Sequence, residues 1–166
     1  MRLIKISNYI PKEVDTTEFL TQMKESLKKY YKGSMKWFND NYEKILKPGN
    51  INWELERQFI IIYDADNECK LAGFALLKVA SSDQKIATLY VAKEYRNKGI
   101  GTDLLKSSAR LFNCNSQPYI FFNDKVLLDF PLFPFFLCKN DFVYDGKKDE
   151  QHTFIYQGIT GEGYDD

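Results

Sequence analysis

At 166 residues, 44% hydrophobic and 28% charged, the chain is long enough to bury a sizeable core in one globular domain. Lys plus Arg and Asp plus Glu both total 23, so no charge excess points to nucleic acid or an anionic membrane. Cys69, Cys114 and Cys138 form no CxxC pair and His152 is the single histidine, which argues against a structural zinc site and for a reducing compartment.

The first residues, Met1 to Ile6, alternate polar and apolar side chains and lack the apolar core of a signal peptide. No apolar run reaches bilayer length, and Val126 to Cys138 is interrupted by Asp129, Pro131 and Pro134. The expectation is a soluble, cytoplasmic protein. Leu3 to Ser7 reads as a strand. Asp15-Thr16-Thr17-Glu18 starts a helix that carries Phe19, Met23, Leu27 and Tyr30 at helical spacing and ends near Gly33. Ser34 caps a second helix, which Pro48-Gly49 breaks. Gln58 to Tyr63 and Leu71 to Val79 form a hairpin of well-buried strands, followed by a fourth strand from Lys85 to Ala92.

A loop with two glycines, Arg96-Asn97-Lys98-Gly99-Ile100-Gly101, then opens a helix from Thr102 to Phe112. Tyr119 to Phe122 is a fifth strand, and Asp129 is placed to cap a short helix containing Pro131 and Pro134. Phe142 to Tyr144 and Thr153 to Tyr156 close the domain as paired strands joined through Gly146 and a charged turn. The pattern predicts one α/β domain over 1–160, with a mixed central sheet flanked by helices, and a polar tail over 161–166.

The loop carries the chemistry. The first turn of a helix leaves backbone N–H groups unpaired, and its dipole favours an anion there. Glycines at 99 and 101 let a phosphate approach the backbone closely. Neither the P-loop pattern, which needs GxxxxGK[ST], nor the dinucleotide fingerprint GxGxxG is present.

The stretch Leu89-Tyr90-Val91-Ala92-Lys93-Glu94-Tyr95-Arg96-Asn97-Lys98-Gly99-Ile100-Gly101 resembles the acetyl-CoA-binding motif of the GNAT superfamily of N-acetyltransferases. That motif is Arg or Gln, two residues, Gly, one residue, then Gly or Ala, after a strand ending in Leu-x-Val. Leu71-Ala72-Gly73-Phe74-Ala75 is similar to the family's third strand, and the two early helices fall in the family's order.

The resemblance implies a GNAT-like fold and an acetyl-CoA-dependent transferase. Its acceptor would be the primary amine of a small molecule, peptide or protein, with direct attack in a ternary complex. Leu89, Tyr90 and Val91 would pair with the pantetheine arm where the strand bulges and parts from its neighbour, and a backbone donor near Val91 would polarise the thioester carbonyl. Backbone groups from Arg96 through Asn97, Lys98, Gly99, Ile100 and Gly101 to Thr102 would hold the pyrophosphate. Neither nucleic acid, metal nor membrane is expected, and the family's habit of dimerising allows a homodimer.

Proton handling departs from the family pattern. Thr88 stands where a carboxylate often lies, which leaves Asn123 and Asp124 as candidate catalytic residues at the end of the fifth strand. The family's thiolate-protonating Tyr corresponds to Phe136 or Leu137, depending on register. Tyr30, Tyr31, Trp37, Phe38 and Trp53 are candidates to line the acceptor cleft, and Glu54 and Glu56 to attract a cationic amine. Two alternatives stay open: a catalytically silent acyl-CoA sensor, and a toxin-like enzyme acting on an RNA-linked amine.

Overall fold

The structure, a computed structural model, describes residues 4–7, 9–31, 35–50, 56–113 and 117–158, with the backbone alone for 4–7, 35 and 37–39. The expected roles of Leu3, Gly33, Ser34, Trp53, Glu54, Cys114 and the tail over 161–166 lie outside those residues, as do the side chains of Trp37 and Phe38. The elements follow as β1 (Ile4–Ser7), α1 (Thr17–Tyr30), α2 (Met35–Ile45), β2 (Arg57–Asp64), β3 (Lys70–Ala80) and β4 (Asp83–Val91). Next come a 3-10 turn (Lys93–Tyr95), α3 (Ile100–Leu111), β5 (Tyr119–Asn123), α4 (Asp124–Asp129), α5 (Phe133–Lys139), β6 (Phe142–Lys148) and β7 (Gln151–Tyr156).

One mixed seven-stranded sheet runs β1-β2-β3-β4-β5-β7-β6. Its first four strands form antiparallel pairs, with a register shift in β2–β3 and another in β3–β4. Adjacent residues of a strand point to opposite faces, so Gly73 and Phe74 identify the two layers. On the Phe74 side, Tyr42 of α2 meets the Phe74 ring edge-on at 6.1 Å, and Phe19 of α1 meets Tyr90 at 5.5 Å. On the Gly73 side lie Ile100 and Leu104 of α3, so close that a Cβ on Gly73 would sit 2.8 Å from Ile100 Cγ2. The small residue in the motif-like third strand is therefore a packing requirement, since the helix that opens the glycine loop rests on it.

Two expectations near the C-terminus are corrected. Asp129 does not begin a helix: it ends α4, an element absent from the sequence reading. Asn123 caps α4, its side chain accepting from Lys125 N at 3.1 Å, and the following helix starts only at Phe133, with Pro134 in its first turn. Gly146 does not turn the last hairpin. With φ +98° it sits at an irregularity within β6, and the turn is made by Asp149 and Glu150, both at positive φ. The paired strands and the charged turn are therefore as expected, and only the part given to Gly146 changes.

Candidate active site

Two features of β4 open the sheet. Leu76 pairs with Thr88 and Leu77 with Ile86, so Ala87 is an extra, bulged residue. On the other side, β4 and β5 are registered in parallel only at Lys85 and Tyr119. Beyond that pair the strands diverge, leaving the Leu89–Val91 edge of β4 without a sheet neighbour on that side. A cleft of about 630 Å3 fills the gap.

One end of the cleft is the start of α3. Gly99 takes the left-handed cap position at φ +84°, Asn97 also has positive φ, and the first intrahelical bond is Asp103 N to Gly99 O. Helix geometry then leaves the N–H groups of Ile100, Gly101 and Thr102 without helical acceptors. The loop is anchored from behind by buried Tyr95, whose hydroxyl donates to Asp64 Oδ2 at 2.8 Å and accepts from Asn67 Nδ2 at 3.1 Å. Phe136 of α5 closes over the loop, its Cζ 3.0 Å from where a Cβ on Gly101 would stand.

Of the residues expected to bind a cofactor, Leu89, Tyr90, Val91, Arg96, Asn97, Gly99, Ile100, Gly101 and Thr102 line the cleft. Lys98 does not; its ammonium lies 5.6 Å from the centre of the Tyr95 ring. Tyr30 and Tyr31 line the cleft as expected of the first helix, whereas Glu56 is exposed outside it. Of the two residues offered for the family's Tyr position, Phe136 lines the cleft and Leu137 is fully buried in the core.

The proposed proton-handling pair sits elsewhere. Neither Asn123 nor Asp124 lines the cleft. Asn123 is occupied by its capping bond and by Nδ2 donating to Tyr30 O at 2.7 Å. Asp124 is exposed and contacts Lys147 Nζ at 2.9 Å and His152 Nε2 at 2.5 Å; these hydrogen bonds, that of Lys147 foremost, hold its carboxyl below the ordinary range. Thr88 is buried with its hydroxyl 2.6 Å from that of Tyr42, a packing role for the position where a carboxylate was sought.

Asp129 is the acidic residue that does line the cleft. Its Oδ2 accepts from both Lys29 Nζ and the Tyr30 hydroxyl, each at 2.5 Å, which holds the carboxyl low. Burial, reinforced by Asp129, pushes Tyr30 up to about 12, and burial alone does the same to Tyr31. No sequence signal marks this cluster, because Tyr30 and Asp129 meet only through the tertiary fold. Among the described residues no group of three or more His, Cys, Asp or Glu is placed to hold a metal ion, and no helix is long and apolar enough to cross a membrane.

Comparison with known proteins agrees with this architecture. Residues 56–127 match the family model described as the acetyltransferase (GNAT) domain. No curated protein matches the sequence. Among solved structures, the PaiA N-acetyltransferase of Thermoplasma acidophilum in complex with coenzyme A superimposes with a TM-score of 0.64 at 21% identity, over 94% of this chain and 99% of that one. A GNAT-family acetyltransferase of Staphylococcus aureus Mu50 gives 0.59 at 18% identity over 93% and 98%, and an acetyltransferase of Thermus thermophilus gives 0.64 at 12% over the same shares. At such identities the likeness speaks for the fold, and the family model speaks for the segment that carries the loop. The segment over 56–127 is thus similar to the GNAT acetyltransferase domain, and it contains the glycine loop and the β4 and β5 walls of the cleft.

Proposed function

We propose that the protein is an acetyl-CoA-dependent N-acetyltransferase acting on a primary amine. The observation that carries this reading is the conjunction at β4: a bulged, bare strand edge facing a cleft that ends on the open first turn of α3. Bound there, acetyl-CoA supplies an activated acetyl group as a thioester. The N–H groups of Ile100, Gly101 and Thr102 would meet the pyrophosphate, aided by the helix dipole. The unpaired edge at Leu89 to Val91 offers backbone partners to the amides of the pantetheine arm. Aromatic walls from Tyr30, Tyr31, Phe121, Phe130 and Phe136 would exclude water and hold amine and thioester in line, the main source of rate when no dedicated acid is present. A thiol of ordinary pKa near ~8.5 is a tolerable leaving group unprotonated.

Phe136 at the cleft, where the family's acid is a Tyr, also supports a second reading: a sensor that binds acyl-CoA without transferring it. Two measurements decide. Acetyl-CoA at about 100 times its Kd raises stability by about 2.7 kcal/mol if it prefers the native state, and Gly99→Glu removes that gain by adding strain at positive φ and like charge at the phosphate. No thermal shift in the wild type sinks both readings. A shift with no free thiol released across a panel of amines leaves the sensor.

A further inference from the structure

Arg96 was expected to serve the cofactor through its backbone and through a cationic contact, and its side chain has partners of its own. The chain doubles back so that Nε donates to the carbonyl of Val91 at 3.0 Å. This holds the guanidinium against two aromatic rings, 5.4 Å from the centre of Tyr90 and 5.0 Å from that of Phe130. Among the described residues no carboxylate forms an ion pair with it. The guanidinium also hydrogen-bonds the Tyr90 side chain; held there and at Nε, it keeps further Nη N–H groups that can meet a planar anion.

The same wall of the cleft holds the opposite charge. Asp129 immediately precedes Phe130, and Tyr30 links the two sites: its hydroxyl donates to Asp129 Oδ2, its ring meets Phe130 edge-on at 6.3 Å, and it feels the charge of Arg96. Both Lys29 and Tyr30 use Oδ2 of Asp129, and among the described residues none donates to Oδ1. Lys29 is 61% exposed and free to swing away. One guanidinium and one carboxylate therefore border the same aromatic surface without pairing with each other.

We infer that Arg96 and Asp129 form a receptor for a zwitterion, and that the acyl acceptor is a free α-amino acid with an apolar side chain. This rests on the acetyltransferase reading above. The acceptor carboxylate lies on the Arg96 fork, its ammonium donates to Asp129 Oδ1, and its side chain meets Tyr30, Tyr31 and Phe130. The ammonium gives up one proton to water before reacting. The amine lone pair then forms the N–C bond to the acetyl carbonyl as the C–S bond breaks. The second nitrogen proton is released and the thiolate takes one up, so the products are the N-acetyl amino acid, coenzyme A and one net proton.

The test compares L-leucine with isopentylamine, and L-phenylalanine with phenethylamine, pairs that differ only in the carboxylate. The amino acids should exceed the amines by about 10⁴-fold in kcat/KM, the scale on which a site built to hydrogen-bond a polar group rejects an analogue lacking it. Arg96→Met should collapse that ratio toward one, with Arg96→Lys intermediate, while the calorimetric Kd for acetyl-CoA moves less than about threefold. In parallel, the coenzyme A-loaded protein should bind L-leucine by calorimetry and not isopentylamine. Equal use of both members of each pair, or no leucine binding to the loaded protein, overturns the inference. So does an Arg96→Met variant that weakens acetyl-CoA as strongly as leucine, since the guanidinium would then serve the cofactor. Failure of acetyl-CoA itself to bind would instead overturn the acetyltransferase reading.

Discussion

Replacing Gly73 by Ala tests how the sheet positions the cofactor loop. The added Cβ would lie 2.8 Å from Ile100 Cγ2 and 3.1 Å from Leu104 Cδ1, both below normal contact. Ile100 cannot yield by rotation: Cγ2 is bonded directly to Cβ, and in a helix Ile is held about 90% in one χ1 rotamer. The helix must move outward, and Ile100 is its first residue, so displacement passes straight into the N–H groups at the loop. Overpacking of this kind costs about 1–3 kcal/mol, and in a domain of this size each kcal/mol lowers Tm by about 2–4 °C. The expected result is a Tm lower by about 2–12 °C on those scales, with acetyl-CoA binding weakened beyond the loss of stability. The control is Ile100→Ala, which removes Cγ2. In that background Gly73→Ala should cost less than half as much, giving a coupling of about 0.5–3 kcal/mol, the range for residues in direct contact. Equal cost in both backgrounds, with unchanged cofactor affinity, would refute the claim that Gly73 sets the height of α3 above the sheet.

Thr88→Val keeps side-chain shape and removes the hydroxyl beside Tyr42, so unfolding should become easier by about 1 kcal/mol; loss of the basic limb of the pH–rate profile without loss of stability would show instead that Thr88 relays protons. Tyrosine ionisation offers a test by absorbance at about 295 nm, where the phenolate absorbs. Tyr30, Tyr31 and Tyr119 are pushed up to about 12 from 10.0, burial being the largest cause for each, so they should titrate after the exposed tyrosines, and Tyr30→Phe should remove one from the late group. Because the folded pKa is raised, the stabilisation linked to Tyr30 is fully present below pH ~10 and is lost as pH climbs through about 12. A Tyr30 that ionises with the exposed group would contradict its contact with Asp129.

Much of the site was readable from local pattern because its chemistry is local. A phosphate cradle at a helix N-terminus requires only a strand, a glycine-containing turn and an apolar helix in succession, and Leu89 to Leu105 contains all three in order. The alternation and clustering of apolar residues in β2, β3 and β4, and the spacing of Phe19, Met23, Leu27 and Tyr30, likewise encode elements through interactions within a few residues. The likeness of Leu71 to Ala75 to the family's third strand was visible, whereas the packing of Ile100 and Leu104 on Gly73 was not.

What the chain alone could not reveal depends on residues far apart in sequence. Asp129 looked like a helix cap because Ser, Thr, Asp and Asn all favour that role, and nothing nearby distinguishes a cap from a carboxylate that closes against Tyr30 of α1. Asn123 and Asp124 looked catalytic because they end the fifth strand, but a strand end faces a cleft only if its neighbours leave one there; capping and the contacts with Lys147 and His152 took them instead. The direction of the Arg96 side chain, the bulge at Ala87 and the divergence of β4 from β5 are likewise settled by packing between layers. Local sequence determined where a phosphate could be held, since that needs only one helix turn; tertiary structure alone decided which charged groups share one wall of the cleft, because their proximity is created by bringing α1 and α4 together beside the same opened sheet.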